Sequence, residues 1–152
     1  RSALVAALVV EGFADFTRTL ERAAARAKGD DLARIRALGR AYVRFAREDP
    51  ERFTLLWRPD MREGANLREI EAAGERSFEP LRAALRDGRA NGTVDDAVPL
   101  EAQALAAWST VHGLAMLLID GPLRLEGMGP RAADRMIDDV LEALLRGVAA
   151  AR

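Results

Sequence analysis

A chain of 152 residues has room for one core, buries most of the surface its unfolded form exposes and needs no covalent staples. It has no cysteine and a single histidine, His112, which excludes disulfides, a cysteine nucleophile and zinc sites built on several histidines. A formal net charge of −1 supplies no field that would draw DNA or RNA to the chain as a whole.

The usage is lopsided, with 30 alanines and 22 arginines against one lysine. Alanine, leucine, arginine and glutamate favour helix, so the fold class is expected to be all-α, a single domain of about six helices. Uninterrupted apolar runs such as Leu114–Ile119 are too short to span a bilayer, so no membrane partner is expected. No secretory signal is visible, and a cytoplasmic location is expected. It opens on Arg1 rather than methionine, so an upstream segment is expected to be missing.

The first helix is predicted from Ser2 to Lys28, with Val9, Phe13, Phe16 and Leu20 on one side. Gly29-Asp30-Asp31 stops it and caps the second helix, whose stripe is Leu32, Ile35, Gly39, Tyr42 and Ala46, flanked by Leu38 and Phe45. The opposite face carries Arg36, Arg40, Arg44 and Arg47. It is read as a solvated face neutralised by nearby acids rather than a phosphate grip, because aromatic and glycine-rich interleaving is absent. Asp49-Pro50 ends that helix and starts a short one over Glu51–Trp57, broken at Arg58-Pro59 and followed by a loop over Asp60–Asn66.

A fourth helix is predicted over Asn66–Asp87, with Leu67, Ile70, Gly74, Phe78, Leu81 and Leu85 inward, a kink at Pro80 and Gly88 as its stop. Arg89–Val98 reads as a loop. Pro99–Asp120 is apolar on two faces: Leu105, Trp108, His112, Ala115 and Ile119 on one, Ala107, Val111, Leu114 and Leu118 on the other. Gly121-Pro122 stops it and Gly129-Pro130 starts the last helix, whose apolar arc of about 180° exceeds the ~100° that one packing surface needs. The last two helices therefore carry surplus apolar surface, which points to a subunit interface. Gly113 is expected to permit close helix approach.

Enzymatic chemistry finds no constellation. Ser109 lies three residues before His112 without a third partner, and Asp30-Asp31, Asp95-Asp96 and Asp138-Asp139 sit at caps or on polar faces. There is no phosphate-binding glycine loop and no metal-ligand spacing, so neither a metal nor a cofactor is expected. Inward aromatics accompanied by the polar groups of Tyr42, Trp108, Ser77 and His112 instead suggest a small-molecule pocket. A helical adaptor that binds proteins through its last two helices is the alternative. It predicts an interface and no enclosed pocket.

The string Ala107-Trp108-Ser109-Thr110-Val111-His112-Gly113 resembles the Trp-His-Gly signature in the C-terminal domain of one group of TetR-type transcriptional regulators. Tyr42-Val43-Arg44-Phe45-Ala46-Arg47-Glu48-Asp49-Pro50, continuing through Phe53, Leu56 and Pro59, is similar to the same group, as is the order of helices. The resemblance implies a bacterial regulatory domain that binds a small hydrophobic or amphipathic effector and forms a homodimer. DNA would be bound only through an N-terminal helix-turn-helix domain absent from this chain. It also implies a cavity between the first, second, fourth and fifth helices, to which Phe16, Tyr42, Phe45, Trp57, Phe78, Trp108, His112 and Met116 are assigned. The dimer is expected as a four-helix bundle centred on Ala107, Val111, Leu114, Leu118, Val140, Leu141 and Leu144.

Overall fold

The computed structural model describes residues 2–58, 67–120 and 129–151. Among these lie six helices: α1 (Ser2–Arg26), α2 (Asp31–Glu48), α3 (Pro50–Trp57), α4 (Leu67–Ala90), α5 (Leu100–Ile119) and α6 (Pro130–Val148). The breaks expected at Pro59 and Gly121-Pro122, and the loop over 60–66, lie outside the described residues.

Local signals set most of the helix starts. The Asp30 carboxylate accepts from the Ala33 N–H and opens α2, and Asp49 accepts from the Arg52 N–H to open α3, with Pro50 in the first turn. Gly129 and Pro130 begin α6 as expected. Gly29 has a φ of +118°, a conformation that suits glycine between two helices.

The central helix is α2, which touches each of the other five. Its buried residues include Ile35, Leu38, Gly39, Tyr42, Val43 and Ala46, a set spread around enough of the helix to face several neighbours. On one side α1 presents Val9, Phe13, Phe16 and Leu20 to the core, all buried as their spacing predicts. On the other, Leu141 of α6 seats against Gly39, where a Cβ would collide with it. Ion pairs run beside that contact: Arg36 with Glu142, Arg40 with Asp138 and Arg47 with Asp134. Three of the four arginines on that face of α2 are thus paired with acids of α6.

One expectation for α4 fails. The helix runs past Gly88 to Ala90 because Gly88 is a packing position, where a Cβ would strike Val94. The turn that follows uses Gly92, with φ +72°. Pro80 sits inside the helix and is buried, and the inward face includes Ala73, Ser77 and Ala84. The loop after α4 is anchored rather than free. Val94 forms an isolated antiparallel bridge with Ala149; the Asp95 N–H donates to Val148 O at 2.9 Å and the Ala150 N–H to Thr93 O at 3.1 Å. Buried Gln103 fixes the same loop by donating to Asp95 O at 2.7 Å and accepting from Arg89 Nη2 at 2.6 Å.

By length and composition α5 is apolar enough to cross a membrane, with a mean hydropathy of 1.4 over 18 residues. Counting only uninterrupted apolar runs understated this, because Ser109, Thr110, His112 and Gly113 interrupt the run without making the helix polar. Its inner side packs on α2, α4 and α6.

Candidate functional site: an aromatic-walled cavity

Five helices bring aromatic rings to one place. Phe16 from α1 meets the Tyr42 ring of α2 edge to face at a centroid distance of 5.0 Å. Trp57, at the end of α3, lies 5.5 Å from Trp108 of α5, and Trp108 lies 5.1 Å from Phe78 of α4. Offset and edge-on contacts of this kind align ring edges with ring faces and hold large side chains in fixed poses.

Rings that meet at such angles leave a gap. A cavity of about 40 Å³, counted as room for the centres of water-sized atoms, lies between Phe16, Tyr42, Trp57, Phe78 and Trp108. One water needs roughly 10–15 Å³ by that measure, so the space exceeds ordinary packing slack. Aliphatic walls complete it: Leu20 of α1, Ile35 and Leu38 of α2, Leu81 of α4, Ala107 and Val111 of α5, and Leu144 of α6. Ser77 lines it as well, with its hydroxyl turned back to donate to Gly74 O at 2.6 Å.

The polar groups beside the cavity satisfy one another. Trp108 Nε1–H donates to Tyr42 Oη at 3.1 Å, and Tyr42 Oη lies 2.9 Å from His112 Nδ1. The phenol accepts from Trp108 and its O–H has Nδ1 as its neighbouring acceptor, a pairing that corresponds to the neutral His112 tautomer with the proton on Nε2. Burial lowers the His112 pKa and supports that neutral form; burial likewise raises the Tyr42 pKa, which the Trp108 hydrogen bond partly offsets.

Of the eight residues assigned to the pocket by sequence, the structure brings Phe16, Tyr42, Trp57, Phe78 and Trp108 to the cavity wall. Phe45, His112 and Met116 are not among its lining residues. Phe45 packs on Phe16 at 5.0 Å, His112 stands behind Tyr42 against Trp57 and Phe53, and Met116 rests on the core. His112 does not meet the cavity because its ring is held by Tyr42 and sandwiched among aromatic rings. Sequence reading passed over the aliphatic lining, whose only signal was an inward position on each stripe.

The residues expected at the centre of a dimer interface are placed differently from that expectation. Leu114, Leu118 and Leu141 lie in the chain's own core, Ala107, Val111 and Leu144 line the cavity, and Val140 is half-buried. The outer face of α5 is instead Ala102, Leu105, Ala106, Ser109 and Leu117, with Leu105 56% and Leu117 42% exposed. Beside it, α6 exposes Ala143 and Gly147 on the flank away from its ion pairs. Gly113 and Gly147 have nothing within 4 Å of a built Cβ. The close approach that Gly113 would permit is not made within one chain.

Residues 35–144 match the family model for the Tetracyclin repressor-like, C-terminal domain. This chain belongs to that family. A protein of unknown function from Rhodococcus sp. RHA1 has a similar structure, at 30% identity and a TM-score of 0.86, over 98% of this chain and 75% of that one. A transcriptional regulator of the TetR/AcrR family from Thermobifida fusca shares the fold at 23% identity and a TM-score of 0.59, over 96% and 71% of the two chains. No curated protein matches the sequence. The TetR-like domain is a regulatory, non-enzymatic module of the kind found in transcriptional regulators.

Proposed function

We propose that this TetR-like domain senses a small hydrophobic or amphipathic molecule in the aromatic cavity and dimerises through the outer faces of α5 and α6. Cavity occupancy would then modulate DNA binding by a helix-turn-helix part outside these 152 residues, in the bacterial cytoplasm. The cavity carries the reading: an adaptor that works only through its surface has no need of a space walled by rings from five helices. The open face supports the dimer. Two helices pack closely where small residues let their backbones approach, and Ala102, Ala106, Ser109 and Gly113 recur at such spacing along α5. The neighbours' longer chains, of which this one spans 75% and 71%, leave room for a separate DNA-binding part.

The test fills the cavity from its wall. Ala107→Leu places three further carbons in the space between Trp108 and Val111 without touching the outer face of α5. A library of small hydrophobic compounds should raise the melting temperature of the wild type and leave the variant unmoved, while both sediment as the same species. Hits that stabilise both proteins equally would place the binding site elsewhere.

A further inference from the structure

Among the described residues, the cavity wall carries no ionised side chain. A charged ligand would therefore lose its hydration with nothing to offset the loss. Most of the polar groups on the wall are already engaged: Ser77 donates to Gly74 O, and Tyr42 accepts from the Trp108 N–H and hydrogen-bonds His112 Nδ1. One donor is left over. Trp57 Nε1 is the buried side-chain polar atom without a hydrogen-bond partner among the described residues, and Trp57 is a lining residue. Buried donors in native folds nearly always have a partner, and this one, closed off from the empty cavity that its ring lines, gains an acceptor from a guest that displaces the wall beside it.

We infer that the effector is an uncharged, largely hydrocarbon molecule carrying a hydrogen-bond-accepting oxygen, such as a ketone, ester or ether, that receives the Trp57 indole N–H. This rests on the cavity being the effector site. The remaining wall is carbon apart from the lone pairs of Ser77 and Tyr42, so a single well-placed oxygen satisfies the site and a second charged or strongly hydrated group has no place in it. The present space holds a few heavy atoms. A six-membered ring enters when half-buried Phe78, Leu81 or Leu144 gives way.

The chain has two tryptophans, so its indole N–H groups give two nitrogen-15 correlation signals that can be told apart with Trp57→Phe. The probes are cyclohexanone, methylcyclohexane and cyclohexanecarboxylate, matched in size and differing in acceptor and charge. Cyclohexanone should move the Trp57 indole proton downfield and leave the Trp108 signal bonded to Tyr42. Methylcyclohexane should bind without that downfield move, and the carboxylate should bind at least about tenfold more weakly than the ketone. Trp57→Phe should weaken the ketone about threefold to tenfold and the hydrocarbon less than twofold. If the variant does not fold, Trp108→Phe assigns the two signals and the wild-type spectra decide. A carboxylate that binds tightest, or a bound ketone that leaves the Trp57 proton where it was, overturns the inference while the cavity stands. Failure of all three probes to bind up to their solubility limits overturns the effector site itself.

Discussion

Tyr42 Oη accepts one hydrogen bond and donates another, and both partners sit four residues apart on α5. Removing that oxygen leaves the Trp108 N–H and His112 Nδ1 unsatisfied inside an aromatic cluster, so Tyr42→Phe should cost about 1–3 kcal/mol in a urea titration. Its shape is kept, so the loss reads the polar chain and not packing. His112 gives a pH signature of its own. Burial lowers its folded pKa below the ordinary 6.5, so the unfolded chain binds the extra proton first. The stability from neutral His112 is therefore complete above pH 6.5 and is lost as pH falls toward the folded value. Protonation also puts a hydrogen on Nδ1, which can then no longer accept from Tyr42. Asp15, lowered below 3.8 by its hydrogen bonds to Arg52 and Arg18, keeps its contribution above that pH and loses it as pH falls toward its folded value. Melting temperatures between pH 7.5 and 5 should fall for the wild type and fall less steeply for His112→Gln. Equal slopes would show that His112 titrates as freely folded as unfolded.

At the scale of the element, α6 is attached by two devices of different strength. Leu141 is fully buried in the notch at Gly39, while the Arg40–Asp138 pair is roughly half exposed on both sides, at 51% and 41%. Leu141→Ala should cost about 2–5 kcal/mol, and Asp138→Ala less than about 1 kcal/mol, with the smaller effect fading in high salt. The order of the two would reverse if ion pairing held the helix. The same contrast explains what could be read ahead of the structure. Caps such as Asp30 and Asp49-Pro50 act on residues two or three positions away, so their effect is written locally. Gly88 looked like a stop because its reason for being glycine, Val94, becomes visible only when the loop folds back. Helix α5 was hardest of all. Its hydropathy is nearly even around the axis, so periodicity fixed that it was a helix without fixing which side faced inward. Val111, Leu114 and Leu118 were assigned outward for that reason, and the small-residue side that is open was overlooked. In the cavity, large rings announced themselves by type, whereas Leu20, Ile35 and Ala107 differ from ordinary core residues only by what stands opposite them.

For the whole molecule, α5 has a cavity on its inner side and an open face on its outer one. Leu105→Glu with Leu117→Glu should convert a dimer into a monomer by light scattering at micromolar concentration while leaving the circular dichroism unchanged, since both side chains are already exposed in one chain. A wild-type monomer would refute the assignment of that face. The bridge between Val94 and Ala149 has another consequence. The segment that follows α6 is tied down: the Ala150 N–H is held by Thr93 and the Val148 carbonyl by the Asp95 N–H. Loop and tail form a clasp, and α6 cannot swing away from the body until it opens. Because Leu144 of the same helix walls the cavity, a guest entering past it must first wait for the clasp to release. Amide hydrogen exchange at Asp95 and Ala150 thus times the door: fast exchange in the empty domain and slow exchange in the filled one would identify α6 as the way in.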